Sequence, residues 1–170
     1  MRSRVQPCFE GGFTLTEVMT AVVLLATFFG SVFELNTVCL RYVNASKESV
    51  AAIQGVQDRI ETLRSLAFSD LTSVSYMTGL LTTPSNSAPL AQRVVERVTI
   101  TDYPGGSPSV TYSRAAGANV TPTASWTGGT SFTSSSNMVR VNVRYDWVST
   151  FGGSSRSEET ETLIAGGIKK

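Results

Sequence analysis

The chain has 170 residues, a formal net charge of +1, no histidine, and two cysteines, Cys8 and Cys39. That length predicts one domain, or one domain plus an extended segment. The missing histidine excludes Ser-His-Asp and Cys-His catalysis and the commonest zinc ligand. The near-zero charge argues against nucleic-acid binding through bulk charge, and two distant cysteines form neither a metal-ligand spacing nor a disulfide framework.

The first twelve residues, MRSRVQPCFEGG, carry Arg2 and Arg4 and end in a Gly-Gly pair directly before an apolar run. Residues 13–33 read FTLTEVMTAVVLLATFFGSVF, with Glu17 as the only charge. At ~1.5 Å rise per residue this run is long enough to cross a bilayer core of ~30 Å. A secretory signal is cut after its apolar stretch at a small-x-small site. No convincing site of that kind closes the run around Gly30-Ser31. Arg2 and Arg4 place the N-terminus on the cytoplasmic side by the positive-inside rule.

Gly12-Phe13-Thr14-Leu15-Thr16-Glu17-Val18 resembles the G-F-T-L-x-E-V processing motif of type IV prepilins and pseudopilins. The resemblance implies a membrane-embedded aspartyl prepilin peptidase that cuts after Gly12 and N-methylates Phe13. Glu17 then becomes the fifth residue of the mature chain. A carboxylate inside a membrane helix is costly and by default functional. Two readings of Glu17 stand side by side. It snorkels to the headgroups, or it pairs with the N-terminal amine of a neighbouring subunit and sets axial register in a fibre.

Beyond Phe33, Val38, Tyr42, Val50, Ile53, Val56, Ile60, Leu63 and Leu66 keep a helical spacing, with Arg41, Lys47, Glu48, Asp58, Arg59, Glu61 and Arg64 largely on other faces. No proline occurs from Phe13 to Thr83. One continuous helix is therefore expected from about Thr14 to about Phe68, with Gly30 and Asn36-Thr37 as its soft points and its apolar stripe serving as core. Cys39 is expected to pack as a small hydrophobe.

Residues 82–91 read as a loop with two prolines. Val94 to Tyr103 reads as a strand ended by Pro104-Gly105-Gly106, and Val110-Thr111-Tyr112 as a short second one. Residues 115–136, dominated by Ala, Gly, Ser and Thr around Trp126, read as a long loop. Val139, Val141, Val143, Tyr145 and Trp147 alternate with polar residues, which predicts a half-buried strand. Residues 151–155 turn it, and Arg156 to Ile164 returns as its hairpin partner, with glutamates placed to face Arg140 and Arg144. The expected fold class is α+β: a long N-terminal helix, membrane-spanning in its first half, packed on a small antiparallel β-sheet. The expected organisation is a leader at 1–12, a transmembrane and assembly helix at 13–35, the outer half of that helix at 36–71 and a periplasmic ectodomain at 72–170.

No phosphate loop, metal cluster or catalytic constellation is visible. Glu158, Glu159 and Glu161 fall on both faces of their strand and read as a solvated edge. The reading is a non-enzymatic chain with no cofactor. The plan is similar to that of the I-type minor pseudopilin of type II secretion and of the V-type minor pilin. The resemblance implies a fibre subunit acting in fibre initiation or protein secretion, or in a type IV pilus (assembly, adhesion or DNA uptake). It implies prepilin peptidase, other pilin-like subunits, an inner-membrane assembly platform and membrane lipid as partners, without nucleic acid, and a single-pass inner-membrane location with a periplasmic C-terminal domain. A membrane-anchored ectodomain with another binding or enzymatic function is the competing class.

Overall fold

A computed structural model describes residues 12–132, 137–150 and 153–167. Arg2, Arg4, Cys8 and Glu10 lie outside the described residues. The chain divides into two compact units, Met1–Tyr42 and Val43–Lys170. Helix α1 (Leu15–Ser65) is followed by two short helices, α2 (Phe68–Leu71) and α3 (Val74–Leu80). Five strands follow: β1 (Val95–Asp102), β2 (Ser109–Arg114), β3 (Thr123–Thr127), β4 (Met138–Val148) and β5 (Ser155–Ala165). The class is α+β, with the C-terminal part of the apolar N-terminal helix packed on a five-stranded antiparallel sheet.

The sheet order is β3-β2-β1-β4-β5, so the chain crosses from one edge to the far side of β1 between β3 and β4. Period-2 alternation decides what each strand buries. On β4, Val139, Val141, Val143, Tyr145 and Trp147 point into the core; on β1, Val98 and Ile100 do so beside Glu96. Ala52, Val56, Ile60 and Leu63 of α1 complete the core, with Leu71, Met77, Leu81, Leu90 and Val94. The opposite sheet face is polar. Thr99 on β1 stands beside Thr111 on β2 and Asn142 on β4, Thr111 beside Ser125, and Asn142 beside Glu161. This is a two-layer domain with its core on one side of the sheet.

Several expectations need correction. The 115–136 segment contains strand β3, which pairs with β2 through registers such as Thr111↔Ser125. Its Trp126 lies on the core side and packs against Phe132, ring centroids 5.2 Å apart. The long helix ends at Ser65, before Phe68, because Ala67 is extended (ψ 145°) and a new helix starts behind it. Helix α3 is not among the expected elements, although Ser73 caps it by accepting from the Tyr76 amide at 3.4 Å. The apolar stripe of α1 is divided: Val56, Ile60 and Leu63 are core, whereas Val38, Tyr42, Val50 and Ile53 are exposed. Cys39 is exposed and packs against nothing as a core residue would.

Arg59 is the largest departure, because it is buried instead of lying on a polar face. Its Nε donates to Glu96 Oε1 at 2.6 Å, and its Nη2 donates to the Thr83 carbonyl at 2.7 Å. Arg114 Nε donates to the other Glu96 oxygen at 3.1 Å, and its remaining nitrogens donate to the Gly117 and Ala91 carbonyls at 2.8 and 3.0 Å. A helix, two strands and two loops therefore meet on one buried Arg-Glu-Arg cluster. Close by, Tyr145 donates to the Gly55 carbonyl at 3.3 Å and shares a 2.5 Å hydrogen bond with Ser85.

The hairpin ion pairs agree with the expected register. Arg144 stands opposite Glu159 with N···O 3.9 Å, and Arg140 reaches Glu161 at 3.2 Å. Both pairs are exposed, so each contributes ~0.2–1 kcal/mol and mainly fixes register.

Candidate functional site

The residues singled out by sequence lie together at the head of α1. Gly12, Phe13 and Thr14 precede the helix in exposed, irregular backbone, and Phe13 is 81% exposed. A Cβ built on Gly12 meets nothing within 4 Å, and its φ is not in the left-handed region. Among the described residues, nothing in the packing therefore requires glycine at this position.

Thr14 stands immediately before the first helical residue. Its carbonyl accepts from the Glu17 and Val18 amides at 3.0 and 3.2 Å, and its hydroxyl accepts from the Glu17 amide at 3.4 Å. Thr14-Leu15-Thr16-Glu17 thus has the spacing of a capping box, with Glu17 in the first turn, where a negative charge suits the helix dipole. The signal, Thr followed three residues later by Glu, is present in the sequence, beside the two expected roles of Glu17 as a carboxylate that reaches the headgroups or pairs with a neighbour's amine. Among the described residues, no Lys or Arg lies within ion-pair distance of Glu17.

From Leu15 to Phe33 the helix is apolar on every side apart from Glu17, and no residue in this stretch is buried. Val18, Met19, Val22, Leu25, Phe28, Phe29 and Val32 are all exposed large hydrophobics. A helix that is apolar all round belongs inside a membrane or a protein core. Among the described residues, one helix is long and apolar enough to cross a membrane, and it lies near the N-terminus.

Three hydroxyls in this stretch turn back onto their own helix. Thr20 donates to the Glu17 carbonyl at 2.9 Å, Thr27 to the Leu24 carbonyl at 2.9 Å and Ser31 to the Phe28 carbonyl at 2.8 Å. Thr37 does the same to Phe33 at 3.0 Å, and the helix runs unbroken through Gly30 and Asn36-Thr37. Such bonds satisfy polar groups where no water can.

No family model, curated protein or solved structure matches this chain.

Proposed function

We propose that this chain is a pilin-like structural subunit, a minor component of a type II secretion pseudopilus, which is cut after Gly12 by a prepilin peptidase and N-methylated at Phe13. It is held in the inner membrane with its C-terminal domain in the periplasm, and it assembles with other pilin-like subunits through α1. The chain is a building element and not a catalyst. One observation carries the reading: a helical stretch, exposed and apolar all round through Phe33, begins directly behind an exposed Gly12-Phe13 junction and carries one carboxylate, Glu17, with no Lys or Arg partner among the described residues. The glycine itself supports it, since its lack of a side chain answers to no neighbour among the described residues.

The experiment has two arms. Mass spectrometry of membrane-extracted protein reads the N-terminus, with N-methylated Phe13 expected; an end at Met1, or one after Gly30, would sink the proposal. The second arm uses Glu17→Gln, because glutamine also serves in a capping box and so isolates the charge from helix initiation. Losing one partner of a desolvated ion pair costs ~3–5 kcal/mol. The variant should therefore insert and be cleaved normally but be depleted from sheared fibres. Wild-type incorporation of Glu17→Gln would reject the pairing with a neighbour's amine.

A further inference from the structure

The amphipathic part of α1 offers the sheet two faces, and the folded chain uses the less apolar one. At about 100° per residue, Val50, Ile53, Val56, Ile60 and Leu63 fall on one stripe. The buried sector keeps Val56, Ile60 and Leu63 but adds Ala52, Gly55 and Arg59. By the same angular count its centre is turned about 70° from that stripe. Val50 and Ile53 are left 51% and 43% exposed while a guanidinium is buried. Apolar burial alone would favour the stripe, so another contact decides the rotation.

What this sector meets on the sheet is one polar row. Arg114 on β2, Glu96 on β1 and Tyr145 on β4 are direct neighbours in register, and all three are buried. Gly55 and Arg59, one helical turn apart, sit over the row. Arg59 Nε donates to Glu96 Oε1 at 2.6 Å, and the Gly55 carbonyl accepts from the Tyr145 hydroxyl at 3.3 Å. A Cβ at position 55 would stand 2.7 Å from Tyr145 Cε2, so glycine is what lets the helix come this close. Both contacts lie on the flank of the sector away from Ile53. Turning α1 by about 70° toward Ile53 would carry Arg59 off Glu96 and out to solvent.

From this geometry we infer that the Arg114–Glu96–Tyr145 row is a rotational lock, which selects the face that α1 packs and holds Val50 and Ile53 outside. Its work is to specify orientation more than to add stability, the best-attested use of buried ionic groups. Without the Glu96 carboxylate the buried Arg59 has no anion beside it. An unpaired buried charge is costly, so the turned packing, with Arg59 in water and Ile53 against the sheet, becomes the better one. The inference rests on the packing of residues 43–65 and is independent of the proposed processing at Gly12.

The test measures maleimide labelling of the full chain in non-ionic detergent, in a Cys8→Ser, Cys39→Ser background. Ile53→Cys and Ala52→Cys, made separately, report the outer and the buried side of the helix. With the row intact, the thiol at position 53 should react and the thiol at position 52 should be protected. Adding Glu96→Leu with Arg114→Met should reverse this, slowing position 53 and speeding position 52 by ~10-fold or more each. Adding Arg59→Met as well removes the charge to be expelled and should restore the original pattern. Faster labelling at both positions would mean unfolding without a second packing, and unchanged rates would mean that apolar contacts alone set the rotation. Any pattern other than the reciprocal one overturns the lock, as does a reciprocal change that persists with Arg59→Met.

Discussion

Replacing Glu96 with glutamine keeps the side-chain shape and removes the charge between Arg59 and Arg114. Both guanidiniums are almost wholly buried, at 2% and 1% exposure. The carbonyls of Thr83, Ala91 and Gly117 still accept from them, but no anion is left in the cluster. Breaking a buried pair in this way costs ~3–5 kcal/mol, a large share of the ~5–15 kcal/mol that holds a typical domain. With a urea dependence of ~2 kcal/mol per molar, the midpoint should fall by about 2 M. The assay is urea unfolding of the full chain in non-ionic detergent, followed through the buried Trp147. The triple variant Arg59→Met, Glu96→Leu, Arg114→Met should recover most of the loss, because well-packed apolar replacements of buried ion clusters are often neutral or better. A Glu96→Gln midpoint within about 0.3 M of wild type would refute the account.

Gly55→Ala raises helix propensity by ~1 kcal/mol, yet the added Cβ would lie 2.7 Å from Tyr145 Cε2. Overpacking costs ~1–3 kcal/mol, so a net loss of thermal stability is expected, reversed in a Tyr145→Ala background. Tyr145→Phe should cost about 1 kcal/mol by removing the Ser85 and Gly55 hydrogen bonds, whereas Tyr112→Phe should be neutral or stabilising, because the buried Tyr112 hydroxyl has no partner among the described residues; urea midpoints compare the two. Burial pushes the Glu48 carboxyl up, but hydrogen bonds from Thr150 and Ser149 and the charge of Arg93 outweigh it and hold it below its ordinary 4.5. A lowered folded value stabilises above 4.5 and is lost as pH falls through it, so wild type should lose stability below that pH more steeply than Glu48→Gln in pH-dependent urea titrations.

The elements with strong periodicity were legible in the sequence. β4 alternates without a break, and the apolar run at 13–33 could only be a helix with no aqueous face. β3 was hidden although Thr123-Ala124-Ser125-Trp126-Thr127 does alternate, because its outward face is hydroxyl and its inward face includes only one large residue. The buried cluster was hidden for another reason. Arg59 lies three residues after Val56 and four before Leu63, a core position by spacing, but its charge class argued for solvent. What buries it is Glu96 arriving from a strand 37 residues away, which no local pattern contains. The buried sector of α1 is accordingly turned toward Ala52, Gly55 and Arg59, and Val50 and Ile53 are left outside it. At the helix head, the residues were legible one by one, while the capping of the Glu17 amide by Thr14 needed the backbone geometry.

The back-bonded hydroxyls of Thr20, Thr27 and Ser31 have a consequence for transfer between phases. With the Thr20, Thr27 and Ser31 hydroxyls engaged internally, the helix presents the same hydrocarbon exterior over that length to lipid and to a bundle of like helices. Moving it from one to the other leaves those internal bonds intact and conserves its dry surroundings. In the proposed assembly, the driving force then reduces to close packing and to the carboxylate of Glu17, whose solvation differs between the two settings. Such a segment behaves like a coated rod with a single electrical contact: indifferent along its length, selective at its head.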